Sequence, residues 1–104
     1  MQSATEVESR QDRPAGQIEA DVVDCDLGDG AAILDLKTGT YFSLGETGAF
    51  VWNALKGGAG RDEIAEAMAR EFDVPRERTS SDLETFLDQL VRAGLVRVDP
   101  AGHE

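Results

Sequence analysis

The sequence predicts an α+β domain, a three-stranded antiparallel sheet followed by three helices in the order β-β-β-α-α-α. Three observations predict it. Short β-favouring runs before residue 45 are separated by Gly28-Asp29-Gly30 and by Lys37-Thr38-Gly39, which are turn sequences. Residues 40–55, TYFSLGETGAFVWNAL, carry the last of these runs through Gly45 into a helix-like run. Two amphipathic patterns of helical period follow, ended by glycine and proline signals. The corner at 40–55 holds Tyr41, Phe42, Phe50 and Trp52, the last being the only tryptophan. Aromatic side chains bury the most apolar area each, so the core is expected to form around this corner.

The chain of 104 residues has room for one domain, and its hydrophobic content of 40% supports a modest core. No apolar run approaches the ~20 residues that span a bilayer. The N-terminus has no basic start followed by an apolar block, so a cytoplasmic location is expected. The formal net charge is −11, from 21 acidic and 10 basic residues. Nucleic-acid binding relies on cations meeting phosphates, so the balance argues against it. Glu19, Asp21, Asp24, Asp26, Asp29 and Asp35 all precede the first lysine, Lys37. That run reads either as a solvated strand face or as a surface favouring a basic partner. Cys25 stands alone, so neither an internal disulfide nor a thiolate zinc cage is available, and a small half-buried strand residue is expected there.

Residues 1–16 are polar and lack periodic apolar positions, which predicts a disordered tail; residues 17–98 form the domain and 99–104 a second tail. A first strand lies within 17–27, with Val23, Cys25 and Leu27 on one face and Val22, Asp24 and Asp26 on the other. A second, at 31–36, is read with Ala32, Leu34 and Leu36 inward and Ile33 and Asp35 outward. A third, Thr40–Leu44, buries Phe42 and Leu44 and turns Tyr41 and Ser43 the other way. Two tight connections in succession make the sheet an antiparallel meander.

The first helix is predicted over Glu46–Lys56, ending at Gly57-Gly58 and Gly60. Gly48 weakens it unless another backbone packs closely there. A second spans Arg61–Phe72, with Ile64, Met68 and Phe72 at i, i+4 and i+8, and Asp73-Val74-Pro75 stops it. The third occupies about 76–93, where Leu83, Phe86, Leu87, Leu90 and Val91 make the stripe. Ser81 with Glu84 offers a capping box and an alternative later start. Gly94 is placed for a left-handed cap, and 95–98 adds a short extended piece.

Catalytic signatures are missing. Gly57-Gly58-Ala59-Gly60 lacks the Lys-Ser/Thr of a phosphate loop, and the only histidine, His103, sits beside the terminus. Nucleophilic catalysis needs Ser, Cys or Thr beside a base, and no interior histidine supplies one. Acidic residues are plentiful, yet their spacing singles out no metal or carboxylate site. The expectation is a protein with no catalytic, metal or cofactor site.

GAAILDLKTGTYFSLGETGAFVWNAL, then IAEAMAREFDV, then DLETFLDQLVRAGLV, resembles the PqqD-like family of peptide-recognition domains, RiPP recognition elements that serve ribosomally made, modified peptides. The match covers about 17–98. It rests on the order and spacing of Leu34-Asp35, the Thr40–Leu44 strand, the corner from Gly45 to Trp52, Asp82 and Gly94-Leu95. The resemblance implies a winged helix-turn-helix-like fold without activity of its own. It implies binding of a precursor peptide's leader and its presentation to a leader protease or peptide-modifying enzyme, with a lasso-peptide pathway favoured. The alternative within the family is partnership with a radical SAM enzyme in pyrroloquinoline quinone-type cofactor synthesis. An alternative of another class is a winged-helix DNA-binding regulator, which would require a basic third helix. Here Arg76, Arg78 and Arg92 face Glu77, Asp82, Glu84 and Asp88.

The resemblance implies that the leader adds as a strand beside the third strand, covered by the third helix. An exposed edge offers the unpaired N–H and C=O groups this needs. The expected peptide-binding residues are therefore Thr40, Tyr41, Phe42, Ser43 and Leu44, with Asp82, Phe86 and Gln89 on one shoulder of the third helix. Phe86 reads equally as core and Asp82 as a solvated carboxylate. The opposite shoulder, Glu84, Leu87 and Val91, is the other candidate.

Overall fold

A computed structural model describes residues 14–98. Its elements are β1 (Gln17–Ile18), β2 (Val22–Asp26), β3 (Ala31–Asp35), β4 (Thr40–Leu44), α1 (Glu46–Lys56), α2 (Arg61–Phe72), α3 (Arg76–Arg92) and β5 (Val96–Arg97). The strands β2-β3-β4 form the expected three-stranded antiparallel sheet, and the three helices follow it. A second, two-stranded sheet pairs β1 with β5, in the register Gln17↔Arg97 and Ile18↔Val96.

The predicted strand at 17–27 is thus two strands in different sheets. Between them Glu19 N–H donates to Leu95 C=O at 3.0 Å, and Val22 N–H donates back to Glu19 C=O at 3.2 Å. Packing begins ahead of β1: Ala15 is buried, and its N–H donates to Ala59 C=O at 2.9 Å. The remainder of the two expected tails, 1–13 and 99–104, lies outside the described residues.

The expected face of β3 is inverted. Ile33 is fully buried, with Ala31 and Asp35 beside it, whereas Ala32 and Leu34 are half-buried and Leu36 is 58% exposed. The motif Ile-Leu-Asp-Leu carries apolar residues at both parities, and an acidic residue conventionally points to water. Asp35 is buried because it builds the turn into β4. Its carboxylate accepts Lys37 N–H at 3.0 Å, and its carbonyl accepts Gly39 N–H at 2.7 Å. Cross-strand pairs share a face, so Asp24, Ile33 and Phe42 point toward the helices. Val23, Cys25, Leu34 and Tyr41 point away, and Cys25 is exposed rather than half-buried.

The helices follow the sequence punctuation closely. Trp52, Val51, Leu55, Ile64, Met68, Leu83, Leu87 and Leu90 interdigitate with Ile33 in one core. Phe50 and Phe72 meet edge to face at 5.4 Å between centroids. Thr79, 1% exposed, joins α2 to α3 by donating its hydroxyl to Ala65 C=O at 2.9 Å. Helix α3 begins at Arg76 behind Pro75, not at Ser81, and Ser81 makes no cap. The capping contact that exists is at α2, where Glu63 accepts Gly60 N–H at 3.1 Å. Gly94 takes φ +80°, and the bonds Gly94 N–H to Val91 C=O and Leu95 N–H to Leu90 C=O close the helix as a Schellman motif.

The inverted face has a direct check in denaturant unfolding. Ile33→Ala is expected to cost about 2–5 kcal/mol, because it opens a cavity under the sheet. Leu36→Ala is expected to stay within about 0.5 kcal/mol, as a surface change. Equal effects would contradict this orientation.

Candidate functional site

Strand β4 has β3 on one side only, so its other edge is open among the described residues. Which amides face that edge follows from the pleat. Leu27 N–H donates to Gly30 C=O at 2.9 Å and Leu36 N–H to Asp21 C=O at 2.8 Å. Even-numbered residues of β3 therefore bond toward β2, and Ala31, Ile33 and Asp35 bond toward β4. Their partners Leu44, Phe42 and Thr40 turn their backbone groups inward. Tyr41 and Ser43 are left with N–H and C=O aimed outward.

The side chains divide the same strand differently. Phe42 and Leu44 are half-buried on the helix side, and Tyr41 and Ser43 are exposed on the opposite face. At the end of the strand, α1 and α3 close in. A Cβ on Gly48 would lie 3.4 Å from both Leu44 Cβ and Phe86 Cζ, so the bare glycine lets strand and helix approach. Phe86, half-buried, thus stands beside the open edge. Asp82 and Gln89, a turn before and a turn after it, share its stripe and are exposed. Asp82 also forms an exposed ion pair with Arg78 at 3.8 Å.

On the other shoulder of α3, Val91 is exposed while its neighbours are engaged. Leu87 is 2% exposed in the core, and Glu84 reaches Arg61 of α2 at 3.5 Å. On the Phe86 shoulder, the Phe86 ring and Leu44 of β4 both pack around Gly48. All the predicted residues fall along this strand and shoulder, with Thr40 at the far end beside the turn. Each of the three arginines of α3 has a carboxylate partner: Arg76 with Asp62, Arg78 with Asp82, and Arg92 with Asp88. Among the described residues no group of three His, Cys, Asp or Glu is placed to hold a metal ion. Among them, too, no helix is long and apolar enough to cross a membrane.

The opposite edge of the sheet, β2, is guarded. Asp24 and Asp26 belong to the parity facing away from β3, and charge on an edge discourages strand addition. Asp24 also latches that edge to α1: its Oδ2 accepts the Trp52 indole N–H and pairs with Lys56 Nζ at 2.9 Å. Sequence reading placed Asp24 in a charge run and missed this role. The spacing Trp52-to-Lys56, one helical turn, was the available signal.

The arrangement defines a small winged-helix-like domain with one open and one protected sheet edge. The chain belongs to the PqqD family: the family model described as coenzyme PQQ synthesis protein D (PqqD) matches residues 30–96. Among solved structures it is similar to TbiB1 in complex with the TbiA(beta) leader peptide, at 35% identity and a TM-score of 0.75. That match covers 77% of this chain and 93% of that one. It also shares its fold with a lasso peptide synthetase B1 complexed with the leader peptide, at 22% identity and a TM-score of 0.69. There the coverage is 79% of this chain and 96% of that one. No curated protein matches the sequence.

The latch generates a pH prediction. The hydrogen bond from Lys56 foremost, and that from Trp52, hold the Asp24 carboxyl below its ordinary value of 3.8 against the opposing effect of burial. A depressed folded-state value adds stability above the unfolded value and loses it as pH falls through the folded one. Asp24→Asn should therefore be less stable than wild type at neutral pH, with the gap closing as pH drops below 3.8. Urea midpoints measured across that range check it; a gap independent of pH would contradict it.

Proposed function

We propose that this chain binds the leader segment of a ribosomally synthesised precursor peptide by strand addition along Thr40–Leu44. It then delivers that peptide to a leader protease or modifying enzyme, in a pathway of the lasso-peptide type, without catalysing a reaction itself. The observation carrying this reading is the open β4 edge, with the Tyr41 and Ser43 backbone groups directed outward beside Phe86. Main-chain bonds to an added strand supply affinity, and flanking side chains supply selectivity. The similarity to TbiB1, whose structure holds a leader peptide, supports it.

In this reading Tyr41 and Ser43 bond the leader backbone, while Thr40, Phe42 and Leu44 hold β4 to β3. Phe86 forms the pocket wall, and Asp82 and Gln89 are the polar contacts at either side. The family name favours a second reading, a partner of a radical SAM enzyme in quinone-cofactor synthesis, and the TbiB1 likeness favours the first. DNA binding is disfavoured by a net charge of −11 and by the carboxylate partners of the arginines on α3.

Calorimetric titration with the leader of a precursor peptide whose gene is found beside that of this chain tests the reading. Ser43→Pro removes an outward donor and should weaken binding by about 1–3 kcal/mol with the fold retained. Phe42→Pro removes an inward donor and should instead destabilise the sheet. Undiminished affinity in Ser43→Pro would exclude strand addition at this edge, and a leader that fails to bind wild type would overturn the function.

Phe86→Ala separates pocket from core. Weaker leader binding with nearly unchanged thermal stability is expected. A loss of about 3–5 kcal/mol in stability would mark Phe86 as core instead.

A further inference from the structure

An antiparallel sheet with one face in water ordinarily carries polar residues on that face. Here the face turned away from the helices carries Val23, Cys25, Ala32, Leu34 and Tyr41, with Ser43 the one polar side chain. Leu27 and Leu36 extend it at its two ends. Of the five large hydrophobic residues exposed among those described, four lie here: Val23 at 46%, Leu27 at 52%, Leu36 at 58% and Tyr41 at 63%. Scattered exposed apolar side chains are ordinary, but a contiguous patch of this kind marks an interaction surface.

We infer that this outward sheet face is the docking surface for the enzyme that processes the bound leader, taken by an apolar patch with a basic rim. The inference rests on the leader-binding reading above. Charge selects the occupant. Asp21 and Asp29 are exposed at the sheet's end turns beside Lys37, and the chain carries −11 in total. A second copy would oppose its own acidic rim, whereas a basic rim is complementary. Position points to the same occupant. Tyr41 and Ser43 present their side chains to this face and their backbone groups to the open edge, so a partner seated here lies against β4 and within reach of a strand added to it.

Cys25, exposed and the only cysteine of the chain, sits on this face opposite Ala32 and reports on its coverage. The experiment follows iodoacetamide alkylation of Cys25 in the full chain, alone, with the leader peptide, and with a leader protease or peptide-modifying enzyme whose gene is found beside that of this chain. The leader alone should leave the rate nearly unchanged, and saturating enzyme should slow it about tenfold or more, since a buried thiol is shielded from reagent. Val23→Ser combined with Leu36→Lys should lower the rate of leader processing about tenfold, an effect typical of losing interface anchors. Leader affinity by calorimetry should be unchanged, and an unaltered melting temperature confirms folding at these exposed sites. Equally fast labelling under saturating enzyme, or processing unaffected by the double variant, overturns the docking surface while leaving leader binding intact. Protection that grows with the concentration of this chain alone overturns it in favour of self-association. Failure of the wild-type chain to bind leader defeats the leader-binding reading itself, and the docking inference with it.

Discussion

Which face of β3 is buried decides nearly everything else in this domain. Ile33 sits fully enclosed beneath the helices, and that placement sets the pleat of the central strand. Side-chain direction and backbone direction are coupled in a pleated strand of fixed register. One parity therefore directs Asp24, Ile33 and Phe42 to the core, sends Val23, Leu34 and Tyr41 outward, and leaves the amides of Tyr41 and Ser43 on the free edge. A slip of one residue would exchange all three sets at once. The site and the core are two readings of the same constraint.

The sequence revealed the helices nearly to the residue, because Gly57-Gly58, Gly60, Pro75 and Gly94 punctuate them and each has a clear 3.6-residue stripe. It revealed the third strand and its exposed and covered faces for a similar reason, since Tyr41 and Ser43 alternate with Phe42 and Leu44. The orientation of β3 stayed hidden because Ile33 and Leu34 are equally apolar. Only the turn geometry built by Asp35 shows why an acid is buried there. The β1–β5 pairing was invisible for another reason: two-residue strands from opposite ends of the domain carry no periodicity. The Phe86 shoulder was legible as a candidate from the stripe, but that Glu84 on the other shoulder turns toward Arg61 was not.

The acidic character of the chain resolves into distinct uses once placed in space. Asp24 locks α1 against β2, Asp35 shapes a turn, and Glu19 pairs with Arg97 at 3.1 Å across the small sheet. On α3, Asp82 and Asp88 each form an i,i+4 ion pair with an arginine of the same helix, contacts whose energetic worth is small when exposed. What they change is the electrostatic identity of the helix, which presents its cations already matched. A surface of this sort suits recognition of a polypeptide strand far better than a phosphate backbone.

The pairing of β1 with β5 has an architectural consequence. Gln17 and Arg97 face each other, so the two ends of the domain leave from one place. Ile18 and Val22 line the same cleft as Asp24 and Trp52, which puts that exit beside β2, across the sheet from β4. A polypeptide joined at either end, or a short bridge joining the ends to each other, would depart from the closed side of the sheet. Chain entry and chain exit are thus kept on the side of the described domain away from its open edge.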